Sequence, residues 1–312
     1  MNDKQHFTFA TPFRLATRSS ALAVTQAEIV RDMLSALPES VSVDFVKMTT
    51  RGDQVLDRPL VEIGGKGVFI KQLERALLAG DADAAIHSMK DMETTLADGT
   101  QIAAVLPRGD VRDALVGAES LEALPAGATI GTASVRRHAW LKYHRPDLDI
   151  QLLRGNVNSR LSRLDAGEFD AIILAVAGLQ RLALDISYSP IDIDIMPPSA
   201  AQGALALQIA TGTERSDAVQ AILSALHDQD AADCTTAERA MLAHLDGSCR
   251  TPISAYADLN GDTIRLQGAV LSPDGTQMFQ TEKTAPRAEA VQLGDAVGAD
   301  LLDACGGKTF LA

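Results

Sequence analysis

The sequence predicts an α/β protein of two lobes joined by a double crossover, followed by a separate α+β unit. Three observations carry this. Strand-like and helix-like segments alternate over most of the chain. Turn-rich breaks at Pro107-Arg-Gly-Asp110 and Pro197-Pro198 divide it. From about residue 231 the order changes to one helix, three strand-like runs and a long final helix.

The elements follow in order. Phe13–Thr17 reads as a strand, and Ala21–Leu37 as an amphipathic helix that Pro38 ends. Val41–Thr49 alternates like a strand, and Val68–Leu78 reads as a helix. Ala82–Ser88 and Ile102–Leu106 are short apolar runs of the kind that form buried strands. A second α/β set has strands near Ala114–Val116, Thr129–Gly131, Ile150–Leu153 and Ala171–Ala175, with helices near 134–145, 157–166 and 176–183. Gly203–Ala210 is apolar again and reads as a strand returning to the first set. The last unit combines a helix over Ala231–Leu245, strands at Ile253–Leu259, Thr263–Leu271 and Thr276–Thr284, and a helix over Arg287–Ala304. The expected domains are 1–107 plus 202–224, then 108–201, then 225–312. Two such lobes place a ligand cleft between them, at the carboxyl ends of their strands.

Composition limits the ligand. The chain of 312 residues carries a formal charge of −13, which opposes broad attraction to nucleic acid or anionic lipid. Aromatic residues make up 4%, too few for a reader of bases built on stacking. The N-terminal residues lack the apolar core of a signal peptide, and no apolar run is long enough to cross a membrane. Cys234, Cys249 and Cys305 show no metal-type spacing, and an odd, sparse set fits reduced thiols in a cytoplasm. No metal site is expected.

Against this acidic background, residues 134–181 hold eight basic side chains and five acidic ones. They gather in Gly131-Thr-Ala-Ser-Val-Arg136-Arg137 and Leu153-Arg154-Gly155-Asn156-Val-Asn-Ser-Arg160, each a strand end, a polar cap and a first helical turn. Cations there oppose the helix dipole. A small anion held jointly by amides and guanidiniums is the compensating gain. The plainer reading is a solvated helix face with salt bridges to Asp147, Asp149 and Asp165.

Other segments offer chemistry. Ala85-Ile-His-Ser-Met-Lys90-Asp91 runs an apolar strand into polar residues at its carboxyl end. There Lys90 can bind a carboxylate and Asp91 can stabilise a cation or exchange a proton; an ordinary polar strand end is the other reading. His87 reads as a buried, satisfied histidine. Thr17-Arg18-Ser19-Ser20 adds an arginine and a hydroxyl cap, and Gly64-Gly65-Lys66-Gly67 lacks the spacing of a nucleotide P-loop. Cys249 lies between a glycine turn and Pro252, on a reachable loop, whereas Cys234 and Cys305 fall on helices as packing residues.

Taken together these segments resemble the porphobilinogen deaminase (hydroxymethylbilane synthase) family, in order along nearly the whole chain. They are ATRSS at 16–20, TRGD at 50–53, GGKGVF at 64–69, AIHSMKD at 85–91, GTASVRR at 131–137, LRGNVNSR at 153–160, DAIILAVAGLQRL at 170–182, AQGALA at 201–206, AERA at 237–240 and the cysteine at 249.

The resemblance implies two periplasmic-binding-protein-like lobes plus a C-terminal domain with a three-stranded antiparallel sheet. It also implies a cytoplasmic, monomeric transferase of tetrapyrrole biosynthesis. That enzyme joins four porphobilinogen units head to tail, releasing ammonia at each step, on a dipyrromethane cofactor attached by a thioether. Carried onto this sequence, Cys249 holds the cofactor, and Lys90, Ser134, Arg136, Arg137, Arg154 and Gly155 bind it. Arg18, Ser20, Phe69, Arg160 and Arg181 bind substrate, and Asp91 is catalytic. The acetates and propionates of cofactor and growing chain account for several arginines instead of one. The sequence departs from the family pattern at Glu62, Ala133, Ser248 and Arg250, and at Met92-Glu93 after the Lys-Asp pair. A non-catalytic two-lobed carboxylate-binding protein explains the cleft and arginines, but not the loop cysteine or the third unit. A cysteine-dependent acyl transferase lacks a matched histidine and oxyanion hole.

Overall fold

The computed structural model describes residues 12–38, 40–49, 70–247 and 251–311. Two five-stranded mixed sheets and one three-stranded antiparallel sheet form the framework.

The first sheet has the order β2-β1-β3-β10-β4, from β1 (Phe13–Arg18), β2 (Val43–Met48), β3 (Ala84–Ser88), β4 (Thr100–Val105) and β10 (Leu205–Ala210). β1 runs parallel to β2 and β3, and β10 lies antiparallel between β3 and β4. The second sheet repeats this plan as β7-β6-β8-β5-β9, from β5 (Asp113–Val116), β6 (Thr129–Thr132), β7 (Asp149–Leu152), β8 (Ala171–Ala175) and β9 (Ser189–Pro190). Its antiparallel insert is β5. The chain therefore crosses between the sheets twice, through 106–112 and through 191–204.

Helices cover both faces of these sheets, which is why the inner strands are buried throughout instead of alternating. All six residues of β10 are buried. α1 (Ala21–Ser35) turns Ala27, Val30 and Leu34 onto the first sheet, one apolar stripe at helical spacing. α2 (Lys71–Leu78) turns in Leu73, Ala76 and Leu77. In the second lobe lie α3 (Val135–His144), α4 (Val157–Asp165) and α5 (Val176–Arg181). A further helix, α6 (Ser216–Ser224), has no counterpart among the sequence expectations. Its stripe of Val219, Ile222 and Leu223 is a single turn's worth, too short to stand out as a period, and packing against the first sheet completes it.

The C-terminal unit pairs α7 (Gln229–His244) and α8 (Ala290–Cys305) over the meander β11 (Ile253–Asn260), β12 (Thr263–Leu271) and β13 (Met278–Pro286). Cys234 is buried in this core, as expected of a packing residue. β12 alternates between exposed and buried residues at its start and is buried continuously at its end. The reason is a second covering: Ala269 and Leu271 share a core with Trp140 of α3, and Trp140 Nε1 donates to Ser254 Oγ at 2.9 Å.

The two crossing segments meet. Gly109 N donates to Gly203 O at 3.1 Å. Gly203 has φ +87°, and a Cβ there would lie 2.6 Å from the Gly109 carbonyl oxygen, so only glycine fits this contact.

Candidate active site

β3 delivers its carboxyl end beside this crossing. Leu205 is in register with Ser88, and Met89 N donates to Ala204 O at 3.0 Å. A single 3₁₀ turn, Met89–Asp91, follows. Met89 is the buried anchor, Lys90 is half-buried, and Asp91 is exposed. Lys90 Nζ donates to Gln202 Oε1 at 3.0 Å.

The caps expected from the sequence form. Ser134 Oγ accepts from Arg137 N at 3.4 Å, and Asn156 Oδ1 accepts from Ser159 N at 2.9 Å. The arginines of the first cluster, however, turn inward. Arg136 and Arg137 are 3% and 6% exposed, and both bind Asp113, a residue with no exposure at all. Arg136 Nη2 lies 2.5 Å from Asp113 Oδ2; Arg137 Nε and Nη2 lie 3.1 and 2.7 Å from Oδ1. Arg136 also donates to Pro197 O at 2.7 Å and Arg137 to Ile173 O at 2.9 Å. Burial alone would raise the Asp113 carboxyl, but the two guanidiniums overcome it and hold the group far below the usual carboxylate range. Of the acidic partners read from the sequence, Asp147 pairs with Arg145, at 2.7 Å. Asp113 was missed because it reaches the arginines through the antiparallel insertion of β5, a long-range pairing that local spacing does not show.

The second cluster arrives from the next strand. Gly155 has φ +115°, and a Cβ there would collide with Ser159 Oγ. Arg154 is buried, and Arg160 Nε donates back to Gly155 O at 2.8 Å. The pKa of Arg160 is pushed down to about 10 by burial, then by the charges of Arg137 and Arg154, while Asp91 pulls it up. Burial pushes Lys90 down to about 8, with Arg137 adding to the effect and Asp91 and Asp113 opposing it. These mutual influences put Lys90, Asp91, Arg137, Arg154 and Arg160 in one electrostatic neighbourhood, drawn from both lobes. Among the described residues, five cations counting Arg136 stand in this neighbourhood with two carboxylates, Asp91 and Asp113. Arg136 Nε is buried with no hydrogen-bond partner among the described residues. Such a site is built to receive a multiply charged anion, whose binding would relieve the depressed cations.

The remaining candidates are placed differently. Arg18 ends β1 half-buried, close enough to act on His87, and Ser20 caps α1 by position with no capping bond from its side chain. Arg181 Nη2 donates to Gly203 O at 2.6 Å, so it braces the crossing from the second lobe. Phe69, Cys249, the glycine loop at 64–67, and Glu62, Ser248 and Arg250 lie outside the described residues.

His87 is buried as expected, but its Nε2 has no hydrogen-bond partner among the described residues. Burial chiefly, with help from Arg18 and against Gln208, lowers its pKa to about 4. The folded chain thus keeps His87 neutral where the unfolded chain protonates it. No effect exists above pH ~6.5, and stability is lost as pH falls towards about 4, by about 3 kcal/mol in full. Urea unfolding at about pH 7 and about pH 4.5 should show this loss, and His87→Gln should flatten it across that interval. An unchanged pH slope in the variant would remove His87 as its source.

Two family models match the chain: "Porphobilinogen deaminase, dipyromethane cofactor binding domain" over residues 13–218, and "Porphobilinogen deaminase, C-terminal domain" over residues 232–303. The chain belongs to the porphobilinogen deaminase family. A porphobilinogen deaminase from Nitrobacter hamburgensis is 45% identical over 303 residues, covering 95% of this chain and 94% of that protein. Among solved structures, the periplasmic aliphatic sulphonate binding protein SsuA from Escherichia coli gives a TM-score of 0.40 at 12% identity, covering 74% of this chain and 70% of that one. The second substrate binding domain of an amino acid ABC transporter from Streptococcus pneumoniae gives 0.38 at 14%, covering 69% and 92%. At these scores the likeness adds nothing to the topology described above. The family's dipyrromethane, with its acetates and propionates, fits the residues present: buried guanidiniums in excess of carboxylates, and an orphaned donor on Arg136.

Proposed function

We propose that this chain is a porphobilinogen deaminase, a transferase that condenses four porphobilinogen molecules into the linear hydroxymethylbilane with release of four ammonia. The observation that carries the reading is one exposed carboxylate, Asp91, set among Lys90, Arg137, Arg154 and Arg160 where the two lobes cross. The cations bind and orient carboxylate side chains. Asp91 holds negative charge beside the carbon that becomes cationic as the substrate amine leaves, and so lowers the barrier. Dipyrromethane, when bound through the Cys249 thioether, supplies the nucleophilic pyrrole carbon. Lys90, Ser134, Arg136, Arg137, Arg154 and Gly155 belong to its side of the site; Arg18, Ser20, Phe69, Arg160 and Arg181 belong to the side of the incoming substrate.

The domains of this reading are 1–107 plus 202–224, 108–201 and 225–312, in a cytoplasmic monomer. No described helix is long and apolar enough to cross a membrane.

The test is the intact mass of the purified protein. An excess of two linked pyrrole units is expected, and Cys249→Ser should abolish it together with turnover. Active protein of unmodified mass would rule out the covalent primer.

A further inference from the structure

Gln202 is 1% exposed and sits in the second crossing segment, where every group of its side chain is engaged. Its Oε1 accepts from Lys90 Nζ at 3.0 Å and from Ser199 Oγ at 3.4 Å. Its Nε2 donates to Val111 O at 2.7 Å and to Asp113 Oδ1 at 3.0 Å. The amide has one workable orientation, since reversing it would set an oxygen against both the Val111 carbonyl and the Asp113 carboxylate. Its main-chain carbonyl accepts from Arg108 Nε at 2.9 Å, and Arg108 is itself held by Glu238 of α7. The backbone that carries the amide is therefore fixed from the C-terminal unit.

The neighbouring charges give this neutral linker a purpose. Lys90 is the lysine among the described cations of this group, and its ammonium sits on a four-carbon stem with rotatable donors. The charges that face it are Arg136 and Arg137 of α3, Asp113 of β5 and Asp91 on its own turn. Asp113 is a buried carboxylate, and an ammonium that reached it would compete with two planar guanidiniums for the same oxygens. The amide occupies the space between them. Its oxygen accepts a hydrogen bond from Lys90 and its nitrogen donates one to Asp113, so neither charge needs the other.

We propose that Gln202 is a positioning residue that holds Lys90 away from the Asp113–Arg136–Arg137 group. Asp113 then serves the two arginines alone, and the remaining donors of Lys90 stay available to an incoming carboxylate. The residue carries this out across the two lobes, because Lys90 belongs to the first and Asp113 to the second.

The assignment rests on the proposed function for what Lys90 binds, and on hydrogen bonds alone for how Lys90 is held. The experiment separates the two. Holoenzyme lysines are reductively methylated with ¹³C-formaldehyde and titrated by NMR, with K90R assigning the Lys90 signal. In the isosteric but apolar Gln202→Met the amide between Lys90 and Asp113 is gone and the ammonium can reach the carboxylate, so the midpoint should rise from about 8 in the parent to about 9 or higher. Ser199→Ala, which removes only the other donor to the same amide oxygen, should produce no such rise. A Lys90 drawn to Asp113 no longer meets an incoming carboxylate, so KM should rise in Gln202→Met with kcat changed less.

A Lys90 midpoint that is unchanged in Gln202→Met, or that rises equally in Gln202→Met and Ser199→Ala, overturns the proposal. So does a Gln202→Met chain that fails to unfold cooperatively, since the amide would then hold the fold and not the lysine. Absence of the dipyrromethane mass in the parent would instead overturn the functional reading, and the Lys90 titration remains readable on that chain.

Discussion

Asp91→Asn should lower turnover by about two to three orders of magnitude, the range seen when one preorganised electrostatic group is removed from an active site. The fold should be untouched. Asp91 is exposed and stands at the end of a 3₁₀ turn whose anchor is Met89, so neutralising it leaves no buried group unpaired. Arg136→Ala should behave in the opposite way. Arg137 still serves Asp113 Oδ1 in that variant, but Asp113 Oδ2 and the Pro197 carbonyl each lose the partner they have now. Breaking a buried pair from one side costs about 3–5 kcal/mol, so the main loss should be in stability, with turnover of the surviving fold reduced less than in Asp91→Asn. Thermal unfolding and initial rates on both purified variants separate the effects. Equal residual rates in two well-folded variants would sink this ranking of the residues.

The division of labour between these two residues shows what the sequence reveals and what it conceals. Strand ends followed by polar caps are local signals, so the strand end at Ser88 and the caps Ser134 and Asn156 were legible from neighbouring residues alone. The inner strands of the two lobes were legible for the same reason, since strands covered on both faces are continuous apolar runs, but the two-residue edge strand β9 was not expected. The partners of the buried arginines were not. Asp113 lies 23 and 24 residues from Arg136 and Arg137, and only the antiparallel insertion of β5 brings it under α3. The same holds for Gln202, 112 residues from Lys90. Motif strings contained both Gln202 and Glu238, but a string records which residues occur and not which ones meet. The arginines therefore looked like ligand-binding groups or a solvated, salt-bridged helix face, and not like a buried internal cluster. In the folded chain Arg136 and Arg137 are internal structure whatever else they bind, because a buried guanidinium must have an anion whether or not a ligand is bound.

Arg239 extends this from pairs to units. It leaves α7 of the C-terminal unit and donates through Nη2 to Glu93 O at 2.6 Å, with Met92 O and Thr94 O each at 3.4 Å. The segment just after Asp91 is thus steadied by the unit that holds Cys249 in sequence. A departure at Met92-Glu93 is tolerated there because the contact is made to main-chain carbonyls, which any residue supplies.

Glu238→Gln should destabilise the chain by about 3–5 kcal/mol while leaving the cleft residues in place. Glu238 has no exposure. Its Oε1 accepts from Arg108 Nη1 at 2.8 Å and from Ala257 N at 2.7 Å, and its Oε2 from Arg108 Nη2 at 3.0 Å and from Ala201 N at 2.6 Å. Four donors converge on two oxygens, and they come from both crossing segments and from β11. Glutamine matches the shape but offers one oxygen, so its NH₂ must face either pair of donors. It also leaves the Arg108 guanidinium, 12% exposed, without a countercharge. Urea unfolding can be followed by the fluorescence of Trp140, the one tryptophan, which sits where the second lobe meets β11. Arg108→Leu alone should also be costly, because it strands the carboxylate. The double variant Arg108→Leu/Glu238→Leu should lose less than the sum, since it removes both charges and leaves mainly the Ala201 and Ala257 amides unsatisfied, at about 1–3 kcal/mol each. Additive losses in that cycle, or a Glu238→Gln chain within about 1 kcal/mol of the parent, would mean that the joint between the three sheets is held by apolar packing and not by this carboxylate.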